Sequence, residues 1–421
     1  MKKKVCMFVW NHFTNDARVL RECTALAEDG YKVKLVAIHD HKDKNLPYEE
    51  MINDFKVVRV KRYNDTHLKL SKILKNVKKY LKNNKLLAIF MLPVLICMLP
   101  IYMVFKILKK IGLLKAMNRF CIFARMVKEG LDDKYDIYHS NDLNTLPQGY
   151  ICSKIFRNSK LIYDSHEVQT SRTGYVGKQY YYLEKYLVKK IDAMIMTTDT
   201  RAQYTAELYN INKPSVVHNY PFYVDIDELE KIDLYEIANI PREEPILLYQ
   251  GGIQEGRGLE KIVEAIPHIN KGIVVFIGDG KLKPTIKKMV KDYGVEERVR
   301  FVEKVPVNDL LKYTRNAYLG FQVLQNTCYN HYSTISNKLL EYVMCEVPVI
   351  ASDFPEIKKI VENNELGICI DSSDTNEIAK AVNMLFDIKL NNMLKNNCKY
   401  SKYKYNWNEE KSDFLQIYNK L

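Results

Sequence analysis

The sequence contains no C-x-x-C pair, although it has nine cysteines, at positions 6, 23, 97, 121, 152, 328, 345, 369 and 398. An odd, scattered set excludes a disulfide framework and a structural zinc site, and implies a reducing cytoplasm. G-x-G-x-x-G, Walker and H-E-x-x-H sequences are also missing, so the usual dinucleotide-binding, P-loop and zinc-protease readings lose their support. The apolar run behind the basic start Met1-Lys-Lys-Lys stops at Asn11. That is too short for a signal peptide and reads as a first buried strand.

Acidic residues are almost absent from one stretch. Between Phe55 and Lys128 stand 18 Lys and Arg and a single acid, Asp65, while the whole chain carries only +13. A field confined to one segment points to one anionic surface met at one place. Within it, the twenty residues from Leu86 to Phe105, including Phe90 and Leu95, are apolar or proline, bracketed by Lys85 and Lys106. Just upstream, Leu70, Ile73, Leu74 and Val77 recur at helical spacing among lysines. Residues 68–110 therefore read as a basic amphipathic helix followed by a monotopic or re-entrant hairpin on an anionic membrane. Pro93, Pro100 and the lysines at both ends argue against a single crossing. A helical pair buried inside the protein is the alternative.

What remains is rich enough to fold: 421 residues with 47% hydrophobic content exceed one ordinary core and imply two domains. Strand patterns at Lys4–Trp10, Lys32–Ile38, Tyr135–His139, Leu161–Asp164, Ala193–Thr198 and Ser215–His218 alternate with helix patterns. A second series runs through Ile246–Gln250, Ile273–Ile277, Val299–Val302, Leu319–Val323 and Val347–Ala351. The expected class is α/β, with two Rossmann-like, doubly wound parallel sheets. The expected domains are 1–218 and 245–403, with a linker at 219–244 and a C-terminal helix at 404–421 packing back toward the first domain. In such sheets ligands bind beyond the carboxyl ends of the strands.

Two segments of the second series carry chemistry. Tyr249-Gln-Gly-Gly-Ile-Gln-Glu-Gly-Arg-Gly258 is a strand running into a glycine-rich turn; Gly251 and Gly252 let amides approach an anion, and Arg257 offers a fork of donors. An ordinary loop is the competing reading. In Ser336-Asn-Lys-Leu-Leu-Glu341, Ser336 is a favourable N-cap. The amides of Asn337, Lys338 and Leu339 would then face outward as an anion site with a lysine inside it. Glu341, one turn on, suits paired ribose hydroxyls, and equally a plain surface charge.

These residues, with Asn15-Asp-Ala-Arg-Val-Leu-Arg-Glu22, His139-Ser-Asn-Asp142, Tyr163-Asp-Ser-His-Glu167, Val217-His-Asn219, Gly278-Asp-Gly280 and Val347-Pro-Val-Ile-Ala-Ser352, resemble a GT-B glycosyltransferase of glycosyltransferase family 4 over nearly the whole chain. The resemblance implies a nucleotide sugar bound by the second domain and an acceptor bound by the first. It assigns the donor to Gly251, Gly252, Arg257, Gly278, Asn337, Lys338, Leu339 and Glu341, and the acceptor side to His166 and Asp142. Arg257, Lys338 and His166 are the catalytic candidates. The sequence departs from the family pattern twice. Gly252 stands where an arginine is usual, a loss that Lys338 would offset, and Ser333 stands where a sugar-contacting acid is usual.

The implied chemistry is retaining transfer that needs neither metal nor cofactor. Joined to the basic segment, it gives a peripheral or monotopic enzyme at the cytoplasmic face of the plasma membrane. Its expected acceptor is a polyprenyl-diphosphate glycan of bacterial capsule, exopolysaccharide or O-antigen synthesis, and no nucleic acid is expected. A soluble GT-B enzyme acting on a small sugar, or an inactive scaffold, are the alternatives.

Overall fold

A computed structural model describes residues 3–63, 113–172, 175 and 177–421. The expected membrane segment 68–110, with its candidate residues Leu70 to Phe105, lies outside the described residues. Among the described residues, no helix is long and apolar enough to cross a membrane. The chain forms two compact units, Met1–Asp164 with Leu183–Met194, and Ser165–Tyr182 with Ile195–Leu421.

The first sheet has eight strands: β1 (Lys4–Phe8), β2 (Lys32–Ile38), β3 (Glu49–Ile52), β4 (Phe55–Val60), β5 (Ile137–Asn141), β6 (Lys160–Ser165), β7 (Ala193–Met196) and β8 (Ser215–Val216), in the order β3-β4-β2-β1-β5-β6-β7-β8. Its central strand β1 pairs in parallel with β2 and β5, and Val5, Cys6, Met7 and Phe8 are all fully buried. Helices on both faces explain this unbroken apolar run. The edge strand β3 runs antiparallel to β4.

Helix α1 (Ala17–Glu28) starts where the Asp16 carboxylate accepts from the Val19 amide, one of the orphan donors of a first turn. It ends ahead of Gly30, at φ 80°. The other helices of this region are α2 (Leu113–Gly130), α3 (Leu146–Tyr150), which continues as a π-helix over Ile151–Arg157, α4 (Lys178–Leu187) and α5 (Asp199–Tyr209).

The second sheet has six parallel strands: β9 (Ile246–Gln250), β10 (Ile273–Ile277), β11 (Val299–Val302), β12 (Leu319–Gln322), β13 (Val349–Ser352) and β14 (Gly367–Ile370), in the order β11-β10-β9-β12-β13-β14. The chain winds from β9 to one edge and returns through β12 to the other, so the topological switch lies between β9 and β12. Its helices include α6 (Leu259–Ala265), α7 (Lys283–Asp292), α8 (Leu310–Thr314), α9 (Asn337–Met344), α10 (Pro355–Asn363), α11 (Thr375–Met384), α12 (Ile388–Ser401) and α13 (Trp407–Asn419).

Alternation along each strand makes two cores. One contains Leu247, Tyr249, Phe276 and Phe321, and the other Leu248, Val275, Tyr342 and Val343. Gly320 is required by the second: a Cβ there would lie 2.6 Å from the Tyr342 ring, whose hydroxyl donates to the Leu248 carbonyl at 2.9 Å. Both sheets are thus of the doubly wound α/β class expected from the alternation.

Candidate functional site

The glycine-rich turn leaves β9 at the switch point. Gly251 has φ 117° and Gly278 φ 145°, and a Cβ on Gly278 would lie 2.0 Å from the Gly251 carbonyl oxygen. Two loops at the carboxyl ends of β9 and β10 therefore touch backbone to backbone, which only glycine permits. Gly258 does the same at the start of α6, where a Cβ would meet the Val323 carbonyl at 2.0 Å.

Gly278→Ala is accordingly expected to deform the turn, with backbone strain alone costing about 1–3 kcal/mol. Thermal stabilisation by nucleotide should then disappear while the far-ultraviolet circular dichroism stays. An unchanged nucleotide response would refute a role for this close approach.

Lys338 enters from α9, facing that turn. Its Cε lies 3.8 Å from where a Cβ on Gly251 would stand, and its Nζ sits 3.6 Å from the centre of the Tyr249 ring. Tyr249 is itself fixed by its hydroxyl donating to the Gly252 carbonyl at 2.8 Å. Burial, then the charge of Arg257, pulls the Lys338 pKa well below the ordinary lysine value, and Glu341 only partly opposes them. Arg257 is half-buried in the turn, and among the described residues its guanidinium has no hydrogen-bond or ion-pair partner. A lysine depressed by burial and by a neighbouring guanidinium, beside open amides, forms a place suited to an anion.

Glu341, one turn deeper, accepts from Gln250 Nε2 at 2.7 Å, and Gln250 is held in turn by the Thr314 hydroxyl at 2.7 Å. Burial raises the Glu341 pKa, with the Gln250 hydrogen bond and Lys338 opposing. The carboxylate is thus a fixed acceptor rather than a loose surface charge.

Ser336 occupies the N-cap with extended backbone but makes no side-chain capping bond. The Leu339 amide donates to the Ser336 carbonyl at 3.0 Å, a tightened first turn. Asn337 and Lys338 are left at the open end, where Asn219 Nδ2 donates to Asn337 Oδ1 at 3.1 Å.

Ser333, at the usual acid position, is fully buried. Its hydroxyl donates to the Tyr329 carbonyl at 2.7 Å and accepts from Arg201 Nε at 3.2 Å. Arg201 also donates to the His166 carbonyl at 2.8 Å and the Asn330 carbonyl at 2.9 Å. The candidate His166 is thus anchored through its backbone, and its side chain is partly exposed.

Asp142, in the first unit, sits at the end of β5 with φ 63°. The quoted motifs of that unit converge on its core. Arg18 of α1 bonds Asp164 of β6 at 2.8 Å and lies 3.0 Å from Glu22, with His139 of β5 3.9 Å from both acids. Glu22, His139 and Asp164 are close enough to hold a metal ion, but the Arg18 guanidinium already occupies the cationic place among them.

Three contributors have no local sequence signal. His331, in a short helical turn, lies 3.0 Å from where a Cβ on Gly256 would stand, and its pKa is lowered by burial and then by Arg257. Arg201 reaches across more than a hundred residues of sequence to residue 333. Glu410 of α13 accepts from the His218 amide at 2.6 Å and lies 2.9 Å from its Nδ1.

Known proteins resemble this chain in sequence and in fold. Residues 231–406 match the family of glycosyl transferases group 1. The chain is 22% identical over 301 residues to an uncharacterised glycosyltransferase of Methanocaldococcus jannaschii, covering 68% of this chain and 75% of that one. It is also 22% identical over 176 residues to the N-acetylgalactosamine-N,N'-diacetylbacillosaminyl-diphospho-undecaprenol 4-alpha-N-acetylgalactosaminyltransferase of Campylobacter jejuni, covering 41% of this chain and 46% of that one. Anabaena HepE, solved in complex with UDP, overlays with a TM-score of 0.69 at 13% identity, covering 100% of both chains. The architecture is therefore GT-B. The match to glycosyl transferases group 1 lies within residues 231–406.

Proposed function

We propose that the protein transfers a sugar, with retention, from a nucleotide-diphosphate sugar to a lipid-linked glycan acceptor, a polyprenyl diphosphate of bacterial surface-polysaccharide synthesis, at the cytoplasmic face of the membrane. The observation that carries the donor half is Lys338, set against the glycine turn with its pKa lowered by burial and by the charge of Arg257. A diphosphate supplies the missing charge, and its developing negative charge on departure is stabilised by the same fixed cations without a metal. In this reading Gly251, Gly252 and Gly278 admit the phosphates, Asn337 and Lys338 cap them, and Glu341 receives the ribose hydroxyls. The departing diphosphate takes the acceptor's proton on the same face, and His166 orients the sugar.

The acceptor half is supported by the diphospho-undecaprenol named for the Campylobacter relative and by the basic, apolar sequence of residues 68–110. Ser333 favours a second reading, an inactive scaffold, since the usual sugar-contacting acid is missing.

Thermal-shift measurements with UDP, GDP, ADP and CMP and their common sugars separate the two. One nucleotide is expected to stabilise the wild type and to lose that effect in Glu341→Ala. No shift with any nucleotide would favour the scaffold.

A further inference from the structure

We infer that a second membrane-docking surface lies on the first unit, formed by the π-helix and the C-terminal half of α4, and that it takes an anionic lipid bilayer. This inference rests on the membrane-associated reading above. It concerns residues distinct from 68–110 and from every candidate donor or acceptor residue.

Ile155 and Phe156 are 59% and 62% exposed at the end of the π-helix, and Leu183 and Tyr186 are 41% and 55% exposed on α4. The two elements are adjacent: Tyr150 and Tyr186 meet edge to face with ring centres 6.3 Å apart, and Lys154 pairs with Asp192 just beyond α4. The π-helix is also firmly held. Asn158 closes it at φ 49°, the Ser159 amide donates to the Ser153 carbonyl at 2.9 Å, and the Ser159 hydroxyl donates to the Tyr135 carbonyl at 2.7 Å. Ile155 and Phe156 are therefore presented outward by a fixed scaffold.

Charge decides the occupant. Residues 150–160 and 183–192 contain six cations and two acids. Neither acid is available: Glu184 is buried and accepts from the Tyr163 hydroxyl at 2.7 Å, and Asp192 is held by Lys154 and Lys160. Arg157, Lys185, Lys189 and Lys190 remain exposed around the apolar residues, with Lys190 lying 5.8 Å over the Tyr186 ring.

Apolar and aromatic tips ringed by lysine match the headgroup boundary of an anionic leaflet. A second copy of the chain would bring the same cations face to face in a two-fold contact, which repels. The neighbouring α2 packs against the π-helix and itself exposes Phe120 beside Arg119.

The test uses the full chain with Phe156→Trp as a local reporter, read against the two native tryptophans. Vesicles are phosphatidylcholine alone, or phosphatidylcholine with about one third phosphatidylglycerol, each with and without a brominated-lipid quencher. The expected result is pelleting with the phosphatidylglycerol vesicles, with a blue shift and quenching at position 156. Ile155→Ser with Phe156→Ser should lower the bound fraction several-fold and leave nucleotide-induced stabilisation intact.

Pelleting without quenching at 156 overturns this inference and leaves the membrane reading standing on another segment. No pelleting with either vesicle overturns both. A concentration-dependent dimer abolished by Phe156→Ser, with no response to vesicles, would assign the surface to self-association and overturn it as well.

Discussion

Lys338→Met is expected to lower kcat/KM for the nucleotide sugar by about ten- to a hundredfold, equivalent to about 1.4–2.7 kcal/mol of transition-state stabilisation. Methionine keeps the length and packing of the side chain, so the loss isolates the charge. Arg257→Met should cost a similar amount, because both cations face the same turn. The double variant should lose more than the sum, because removing Arg257 relieves the repulsion that lowers the Lys338 pKa and so partly offsets the single loss.

The same repulsion gives a pH signature. In the free protein the Lys338 pKa is depressed, by burial first and Arg257 second. A bound diphosphate adds two or more negative charges beside the ammonium and raises the value again. Binding therefore takes up a proton wherever the pH lies between the depressed and the restored value. Affinity for the nucleoside diphosphate should fall as pH rises through that window, by up to about tenfold per pH unit. Lys338→Met should remove this slope. Calorimetry in buffers of differing ionisation enthalpy measures the proton directly. A wild-type enzyme that binds with no proton uptake at any pH, or a Lys338→Met variant with wild-type kinetics, would show that the ammonium does not meet the diphosphate.

These residues were readable because their chemistry is local. β9, β10 and β11 match the expected ranges residue for residue, since each is a short apolar run bounded by turn residues. Lys338 and Glu341 lie on one helix whose first residue, Asn337, was also readable, and helical spacing set their relation to each other. Two of the edge strands, β3 and β14, were not. β3 alternates exposed and half-buried residues, and β14, Gly-Ile-Cys-Ile, is only four residues long, so neither stands out from a loop by periodicity. The motif from Asn15 to Glu22 was recognised, but its charged residues proved to be core: Arg18 and Glu22 are buried with Asp164 and His139. A run of polar residues on a helix reads as solvated until the strand ends that bury it are known. The support of His218 by Glu410 spans 192 residues, and no local pattern encodes such a pair.

Arg201→Met is expected to destabilise the second unit by about 2–4 kcal/mol, the cost of leaving the buried Asn330 carbonyl without its guanidinium donor and the His166 carbonyl with the Thr197 hydroxyl alone. The guanidinium is buried and pulled down to about 10 by that burial, so it stays charged at neutral pH. It holds together three chain segments, through the His166 carbonyl, the Asn330 carbonyl and the Thr197 and Ser333 hydroxyls. The hydroxyls can rotate to new partners in the variant and the His166 carbonyl keeps the Thr197 hydroxyl, whereas the Asn330 carbonyl loses the guanidinium outright, and this sets the lower end of the range. For a unit of this size the loss corresponds to roughly 5–15 °C in its melting transition. Arg201→Lys should fall between, because an ammonium has fewer donors and no planar fork. The bond to Ser333 also bears on the missing acid. With serine there, Arg201 is satisfied by neutral acceptors and 333 is closed to solvent, so recognition of the donor sugar must rest on other groups. If Arg201→Met melts with the wild type, these hydrogen bonds do not anchor His166. If it melts lower yet retains full turnover at low temperature, Arg201 is a bolt of the fold alone.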